Sequence, residues 1–352
     1  ATYRGGRIAL TWNVTDDWSV DLMHLRQELD TDGVFDFEPE VGDLKVTKFN
    51  DNSLKDRVSL STWGVNGRLG ALDLIYTGSF LKHRATQVAD YAGYSNIGLY
   101  LPYYECDRGV YYTAAYNGNI GNTCYAPSKS YQVRNRTERM THEFRVTTPA
   151  DKRLRGTFGL FYDDNKLFDN TDWSYLQEAA GFIYRRAPNA SVNANDTSIR
   201  ATKVGFFNDI QRKDTQFAAY GEASFDIVPD KLTFTGGLRY YDEKASINGS
   251  SNGSFGGARG VYNATTGTYT AASSGPTTYN VSANLNVLYA DASPAKYSGT
   301  LYKANLTYRL DESSLVYATY SDGFRPGGFN RRPCRVHSAI CPTNADIVRL
   351  GT

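Results

Sequence analysis

The sequence predicts an all-β fold, an antiparallel transmembrane β-barrel of the outer-membrane type. Three observations lead to this prediction. Segments of about ten residues alternate apolar with polar side chains, short turns alternate with long loops, and no run of eighteen apolar residues occurs in the 352-residue chain. A chain that crosses a membrane without such a run does so as a closed barrel, because strands then satisfy one another's backbone groups in hydrocarbon.

Ten predicted strands, in five hairpins, contain most of this alternation. They cover residues 7–14, 18–30, 58–66, 72–81, 139–147, 154–162, 217–227, 232–241, 302–310 and 315–322. In one of them Met140, His142 and Phe144 alternate with Thr141 and Glu143, so that one face is mainly apolar and the other polar. We expect the polar faces to look into the lumen of the barrel. Their charged members are Glu143, Arg145, Glu222, Arg239, Lys303 and Arg309.

The connections between strands fall into two kinds. Short turns lie near residues 15, 68, 150, 230 and 312, and long polar segments cover 31–54, 87–130, 163–214 and 246–296. A soluble sandwich would have similar loops at both ends and strands nearer five or six residues. The pattern therefore predicts that all five short turns lie on one rim of the barrel and the long loops on the other.

One stretch near the C-terminal end, LVYATYSDGFRPGGFN from Leu315 to Asn330, is a strand that runs into an Arg-Pro-Gly-Gly corner. With residues 217–241, FAAYGEASFDIVPDKLTFTGGLRYY, and 143–162, EFRVTTPADKRLRGTFGLFY, it resembles the barrel of TonB-dependent outer-membrane receptors of the proteobacterial nutrient-uptake type. The resemblance covers roughly residues 58–330. It implies a barrel of about twenty-two strands. Residues 1–352 would form about ten of them, and the plug domain would not be present in this sequence.

The resemblance also implies a function. It is active transport of a scarce ligand, such as a siderophore, vitamin or saccharide, across the outer membrane. The partners would be outer-membrane lipid, the small-molecule ligand and the periplasmic energy-transducing protein TonB, which would act through segments missing here. Two alternatives stay open: a self-contained ten-stranded outer-membrane enzyme of the protease type, and a passive porin. The chain shows no persuasive set of catalytic carboxylates or of His with Asp, so we predict no enzyme activity and no cofactor.

Charge and cysteine content narrow the class further. A formal net charge of +1, with the charges spread along the chain, argues against a nucleic-acid binder, which would show a clustered excess of Lys and Arg. Cys106 and Cys124 form one close pair, and Cys334 and Cys341 form another. Neither pair has metal-ligand spacing, so we predict two loop disulfides made in an oxidising compartment and no metal site.

Two groups of residues are candidates for ligand binding. The segment 87–130 carries nine tyrosines, and tyrosine supplies rigid amphipathic contact area at low entropic cost. Its candidate residues are Tyr103, Tyr104, Tyr111 and Tyr112. Phe324 and Arg325, at the corner after the last predicted strand, form the second group.

Overall fold

The computed structural model describes residues 1–33, 37–91, 104–106, 109–111, 124–125, 129–175, 204–253, 260–263, 268–271, 281–284 and 293–329. Within these ranges all regular secondary structure is β-strand. The described part of the chain contains no helix that is long and apolar enough to span a membrane.

Sixteen strands are described. They are β1 Thr2–Asn13, β2 Trp18–Asp32, β3 Ser53–Leu69, β4 Leu72–Asp90, β5 Tyr104–Cys106, β6 Gly109–Tyr111, β7 Cys124–Tyr125, β8 Lys129–Thr147, β9 Leu154–Tyr175, β10 Val204–Val228, β11 Leu232–Gly253, β12 Gly260–Asn263, β13 Thr268–Ala271, β14 Val281–Asn284, β15 Ala295–Arg309 and β16 Leu315–Ser321. The main sheet has the order β1-β2-β3-β4-β8-β9-β10-β11-β15-β16, and β14 also pairs with β11. Two small sheets, β6-β5-β7 and β12-β13, lie in the long connections.

Every neighbouring pair in the main sheet is antiparallel, so the ten long strands form a meander. The five short turns consequently lie on one rim, as predicted. Backbone hydrogen bonds join neighbouring turns there: Arg68 N donates to Asp17 O at 3.1 Å, and Asp226 N donates to Arg153 O at 3.0 Å.

The last of these turns is closed by a carboxylate. Asp311 accepts hydrogen bonds from the hydroxyl and from the backbone N–H of Ser313, both at 2.8 Å. These bonds, the hydroxyl's first, lower the pKa of Asp311 from its ordinary value. The turn between β15 and β16 is therefore an Asx turn of the kind that reverses a chain sharply.

The described sheet is open at its two edge strands, β1 and β16. In the described part of the chain β1 pairs with β2 and β16 pairs with β15, and no pairing joins β1 to β16. A sealed cylinder of ten strands, which the enzyme alternative requires, would pair residues 8–14 with residues 316–320. The described sheet is instead a partial barrel.

The strands are longer than the sequence predicts. β9 has 22 residues and β10 has 25, against the 9 to 11 that a membrane-spanning strand needs. The predicted loops at 31–54, 87–130, 163–214 and 246–296 were therefore wrong at their ends, because residues 31–32, 53–54, 87–90, 129–130, 163–175, 204–214, 246–253 and 295–296 are strand. Alternation ends where the outward face leaves hydrocarbon, whereas backbone pairing continues beyond it.

The sheet has two chemically different faces. Large apolar side chains are exposed on one of them, including Ile8 at 72% and Leu238 at 55% of their full surface. Other exposed members of this outward face are Leu10, Trp12, Phe144, Phe158, Leu160, Tyr162, Phe217, Phe225, Phe234, Tyr240, Tyr302 and Leu306. On the opposite face, Ala218 is fully buried. A contiguous exposed apolar surface of this kind is what a lipid-facing band requires.

His142 belongs to the outward face. Trp63 Nε1 donates to Tyr76 Oη at 3.2 Å, and Tyr76 Oη lies 2.8 Å from His142 Nδ1. The ring of Trp63 lies over Gly78, the residue between Trp63 and His142 in the cross-strand row, where a Cβ would meet the indole at 2.3 Å. This chain of hydrogen bonds gives three polar groups partners on an apolar surface, where an unsatisfied group is costly. The interpretation of His142 as a strand-face residue is confirmed.

Candidate functional site

The inward face of the sheet is the candidate site. It carries the charged side chains expected there, and they form local networks. Tyr220 Oη donates to Glu143 Oε1 at 2.5 Å, and Arg145 Nε lies 3.7 Å from the other oxygen of the same carboxylate. Lys303 Nζ donates to Glu222 Oε2 at 2.7 Å. The Glu143 and Glu222 carboxylates are thus each paired with a cation, and these side chains remain partly open to water.

These contacts skip a strand. Tyr220 on β10 reaches Glu143 on β8 across β9, and Lys303 on β15 reaches Glu222 on β10 across β11. Side chains two strands apart can meet in this way on the concave face of a curved sheet. These contacts lie on the polar face, opposite the face that exposes the large apolar side chains.

Glycine makes one of these crossings possible. Gly159 is the cross-strand neighbour of Tyr220, and a Cβ built on Gly159 would lie 2.2 Å from Cζ of the Tyr220 ring. Because real side chains do not approach so closely, Tyr220 occupies space that only a glycine leaves free. Gly237 lies similarly between Glu222 and Lys303, but a Cβ there would be 3.6 Å from either side chain, which is ordinary contact.

A second part of the inward network lies closer to the long-loop rim. Arg239 Nη2 donates to Gln216 Oε1 at 3.1 Å, and Gln216 Nε2 donates to Glu243 Oε2 at 3.0 Å. The Arg239 guanidinium also lies 5.4 Å from the centre of the Phe161 ring, within cation–π range. Arginine, amide, carboxylate and aromatic groups thus share one surface that small polar molecules could contact.

The corner after the last strand turns onto this inward face. Phe324 stacks on Tyr241, with ring centres 3.9 Å apart and planes inclined by 15°. Tyr241 is itself nearly buried, over Gly299 of β15. The corner is therefore fixed against the barrel wall by an aromatic pair, and Arg325 beside it is exposed.

The long-loop rim is fixed by a carboxylate at the end of β4. Asp90 Oδ2 accepts hydrogen bonds from the backbone N–H groups of Phe49 and Asn50 at 2.8 and 2.9 Å, and from Asn50 Nδ2 at 2.9 Å. Asn52 Oδ1 accepts from the N–H of Asp90 at 2.6 Å. The connection between β2 and β3 is thereby held against the neighbouring strand, which the sequence did not indicate.

The predicted binding residues of the 87–130 segment are only partly described. Tyr103 and Tyr112 lie outside the described residues. Tyr104 in β5 and Tyr111 in β6 are direct backbone partners in the small sheet β6-β5-β7. The pairing brings these two positions together, and their role in ligand binding stays a prediction.

The predicted disulfides have a similar status. The backbone register places Cys106 of β5 directly opposite Cys124 of β7. Cys334 and Cys341 lie outside the described residues. The register is compatible with the predicted bond between Cys106 and Cys124, which stays a prediction.

The meander, its two faces and its two unlike rims define a β-barrel wall of the outer-membrane type. The sequence profile of the family described as TonB dependent receptor-like, beta-barrel, matches residues 26–335. The chain therefore belongs to this family of outer-membrane β-barrel proteins, whose members are receptors rather than enzymes. No curated protein matches the chain.

Two solved structures share the fold. The crystal structure of the ferric yersiniabactin uptake receptor FyuA from Yersinia pestis is 12% identical, with a TM-score of 0.59 over 94% of this chain and 39% of that chain. The crystal structure of the ferric citrate transporter FecA in the unliganded form is 12% identical, with a TM-score of 0.51 over 93% and 36%. This chain thus spans less than two fifths of the length of either protein.

We predict that Cys106 and Cys124 are bonded in the protein isolated from an oxidising compartment, because their strand positions face each other. Peptide mapping without reduction should recover one peptide pair linked through these residues. Quantitative alkylation of both thiols in the unreduced protein would contradict the prediction.

Proposed function

We propose that the protein takes part in the active transport of a scarce small-molecule ligand across the outer membrane. The observation that carries this proposal is the inward face, where charged, amide and aromatic groups line a concave wall instead of an apolar core. A narrow barrel would be filled by its own side chains. The long charged side chains of Arg145, Arg239 and Lys303, with small residues between them, suit a wide lumen better than a packed core.

We infer that residues 1–352 form part of a barrel of about twenty-two strands. The exposed edges of β1 and β16 support this inference, since an unpaired strand edge is not tolerated in hydrocarbon. Further strands would pair with both edges. A plug domain would lie against the inward face, and TonB would supply the energy from the periplasmic side.

Ferric chelates are the first ligand class to test. The support is the shared fold, because FyuA is a ferric yersiniabactin uptake receptor and FecA is a ferric citrate transporter. Basic and aromatic groups such as Arg239 and Phe161 are chemically suited to anionic, planar chelates. Vitamins and saccharides are the ligand classes with which ferric chelates are compared.

A passive porin is the second candidate function, since a wet inward face would also suit diffusion. An uptake measurement distinguishes active transport from passive diffusion. It uses radiolabelled ferric chelates, with cobalamin and maltodextrin for comparison, in cells that express the full-length gene product. The proposal predicts saturable uptake of one class that stops when a protonophore collapses the inner-membrane potential. Non-saturable entry that is insensitive to the protonophore would establish the porin instead.

The tyrosines of the 87–130 segment are expected to contribute to ligand capture. Replacing Tyr103, Tyr104, Tyr111 and Tyr112 with Ala should weaken binding of the transported ligand by at least about tenfold, since aromatic contact residues commonly dominate binding energy. Replacing the same four residues with Phe should retain most of the affinity, because the ring area is kept. Affinity unchanged by the Ala substitutions, with the barrel folded, would contradict this role.

A further inference from the structure

The connection between β2 and β3 forms a hydrogen-bonded loop on the long-loop rim. Its base is closed by the bond from Gly33 N to Asn52 O at 2.6 Å. Inside it, Glu38 N donates to Lys45 O at 2.8 Å, so that the chain between these two residues folds back on itself. The bonds to the carboxylate at the end of β4 fix its second half. We call residues 37–49 the rim loop.

The rim loop exposes four large apolar side chains. Leu44 retains 86% of its full surface and Phe49 retains 69%, and Phe37 and Val41 are exposed as well. Single apolar residues scattered over a protein surface are ordinary, but a cluster on one ordered loop is typical of a surface that contacts another molecule. The rim loop is therefore a candidate interaction surface.

The backbone of the rim loop is strained at Leu44. The φ of this residue is +56°, in the left-handed region where a Cβ lies too close to the following carbonyl oxygen. The other described non-glycine residue with a positive φ is Asp230, and aspartate tolerates this region because its short polar side chain bonds locally. An exposed leucine has few contacts within its own chain that offset such strain. The compensating contact therefore lies outside the chain.

The rim loop lies beyond the lipid-facing band. Leu22 is the last exposed apolar residue on the outward face of β2. The outward positions that follow it are polar or charged: His24, Arg26, Glu28, Asp30 and Asp32. These side chains separate the loop from the band along this strand, so hydrocarbon does not cover the apolar residues of the loop.

Two opposite charges flank the exposed leucine. Asp43 precedes Leu44 and Lys45 follows it, and both charged side chains are exposed. In the described ranges neither of these two side chains has an ion pair or a hydrogen bond. An apolar centre between one negative and one positive charge is complementary to a second copy of itself turned by 180°, because each charge then faces its opposite.

Membrane geometry permits this pairing of two copies. A two-fold axis along the membrane normal keeps the long-loop rims of both copies on the same side of the membrane. The rim loop then lies at the same height in both copies. A residue close to the axis faces its own equivalent, and the residues on either side of it face each other's equivalents.

We propose that the rim loop joins two copies of this protein into a dimer. In this contact Leu44 packs on the partner's Leu44, and Asp43 pairs with the partner's Lys45. Burial of the two leucines offsets the strain of the left-handed backbone. The contact is separate from the inward site, and it does not depend on which ligand is transported.

The first test exchanges the two charges in the full-length gene product. It measures the monomer–dimer equilibrium by sedimentation in detergent micelles, which cover the apolar band and leave the rim loop in water. Asp43→Lys and Lys45→Asp each place like charges opposite each other, so each variant alone should dimerise at least about tenfold more weakly than the wild type. An equimolar mixture of the two should dimerise, and so should the variant that carries both substitutions.

The second test removes the apolar centre without adding backbone strain. Leu44→Asn introduces a polar residue that tolerates the left-handed region, so the barrel should resist urea as well as the wild type does. Its dimer affinity should fall at least about tenfold, because the leucine contact is lost. Asp230→Asn is the control, since it changes the other positive-φ position, on the short-turn rim, and should dimerise as the wild type does.

Three results would overturn the proposal. One is a wild-type protein that stays monomeric at concentrations up to about 100 μM, which would assign the exposed loop to a different occupant. Another is a mixture of the Asp43→Lys and Lys45→Asp variants that stays monomeric while the wild type dimerises. The third is equal dimer affinity of the Leu44→Asn variant and the wild type.

Discussion

Contact between side chains that lie two strands apart is the interaction on which this barrel wall depends. A flat sheet keeps such side chains about 9 to 10 Å apart, since adjacent strands are separated by about 4.8 Å. Curvature and a glycine in the intervening strand bring them together. Gly159 lets Tyr220 reach Glu143 on the inward face, and Gly78 lets the Trp63 ring lie 5.9 Å from the His142 ring, centre to centre, on the outward face.

The inward and outward contacts have different consequences. On the inward face, the Tyr220 hydroxyl gives the Glu143 carboxylate a charge-assisted hydrogen bond, a type of bond worth about 1.5 to 3 kcal/mol. On the outward face, the indole and phenol groups satisfy each other where lipid offers no partner. The wall thus has a polar inner surface and an apolar outer surface. Its longest described strand, β10, has 25 residues.

The sequence predicted the strands where they cross the membrane and missed where they continue. Alternation around Met140 to Thr147 depends on lipid on one side, and it stops near Glu138, although β8 starts at Lys129. Beyond that point both faces of a strand can be covered: Phe207 and Asn208, on opposite faces of β10, are each 1% exposed. A pattern based on one wet and one apolar face cannot detect strands of that kind.

The candidate site was predictable in composition and unpredictable in geometry. Strand parity placed Glu143, Arg145, Glu222, Arg239 and Lys303 on one face. Their partners could not be derived from parity, because the contacts cross an intervening strand and depend on the register of three strands at once. The stacking of Phe324 on Tyr241 has the same origin, since it joins residues distant in sequence through the curvature of the wall.

A double-mutant cycle on Gly159 and Tyr220 tests the central claim most directly, with urea unfolding of the full-length protein in micelles as the measurement. Gly159→Ala should destabilise the wild type by about 1 to 2 kcal/mol, because the new Cβ displaces the Tyr220 ring from Glu143. The same substitution should cost little in a Tyr220→Ala background, where the space is empty. Gly221→Ala is the control, since a Cβ there would meet its neighbours only at ordinary contact distances of 3.8 and 4.0 Å. An equal cost of Gly159→Ala in both backgrounds would contradict the account.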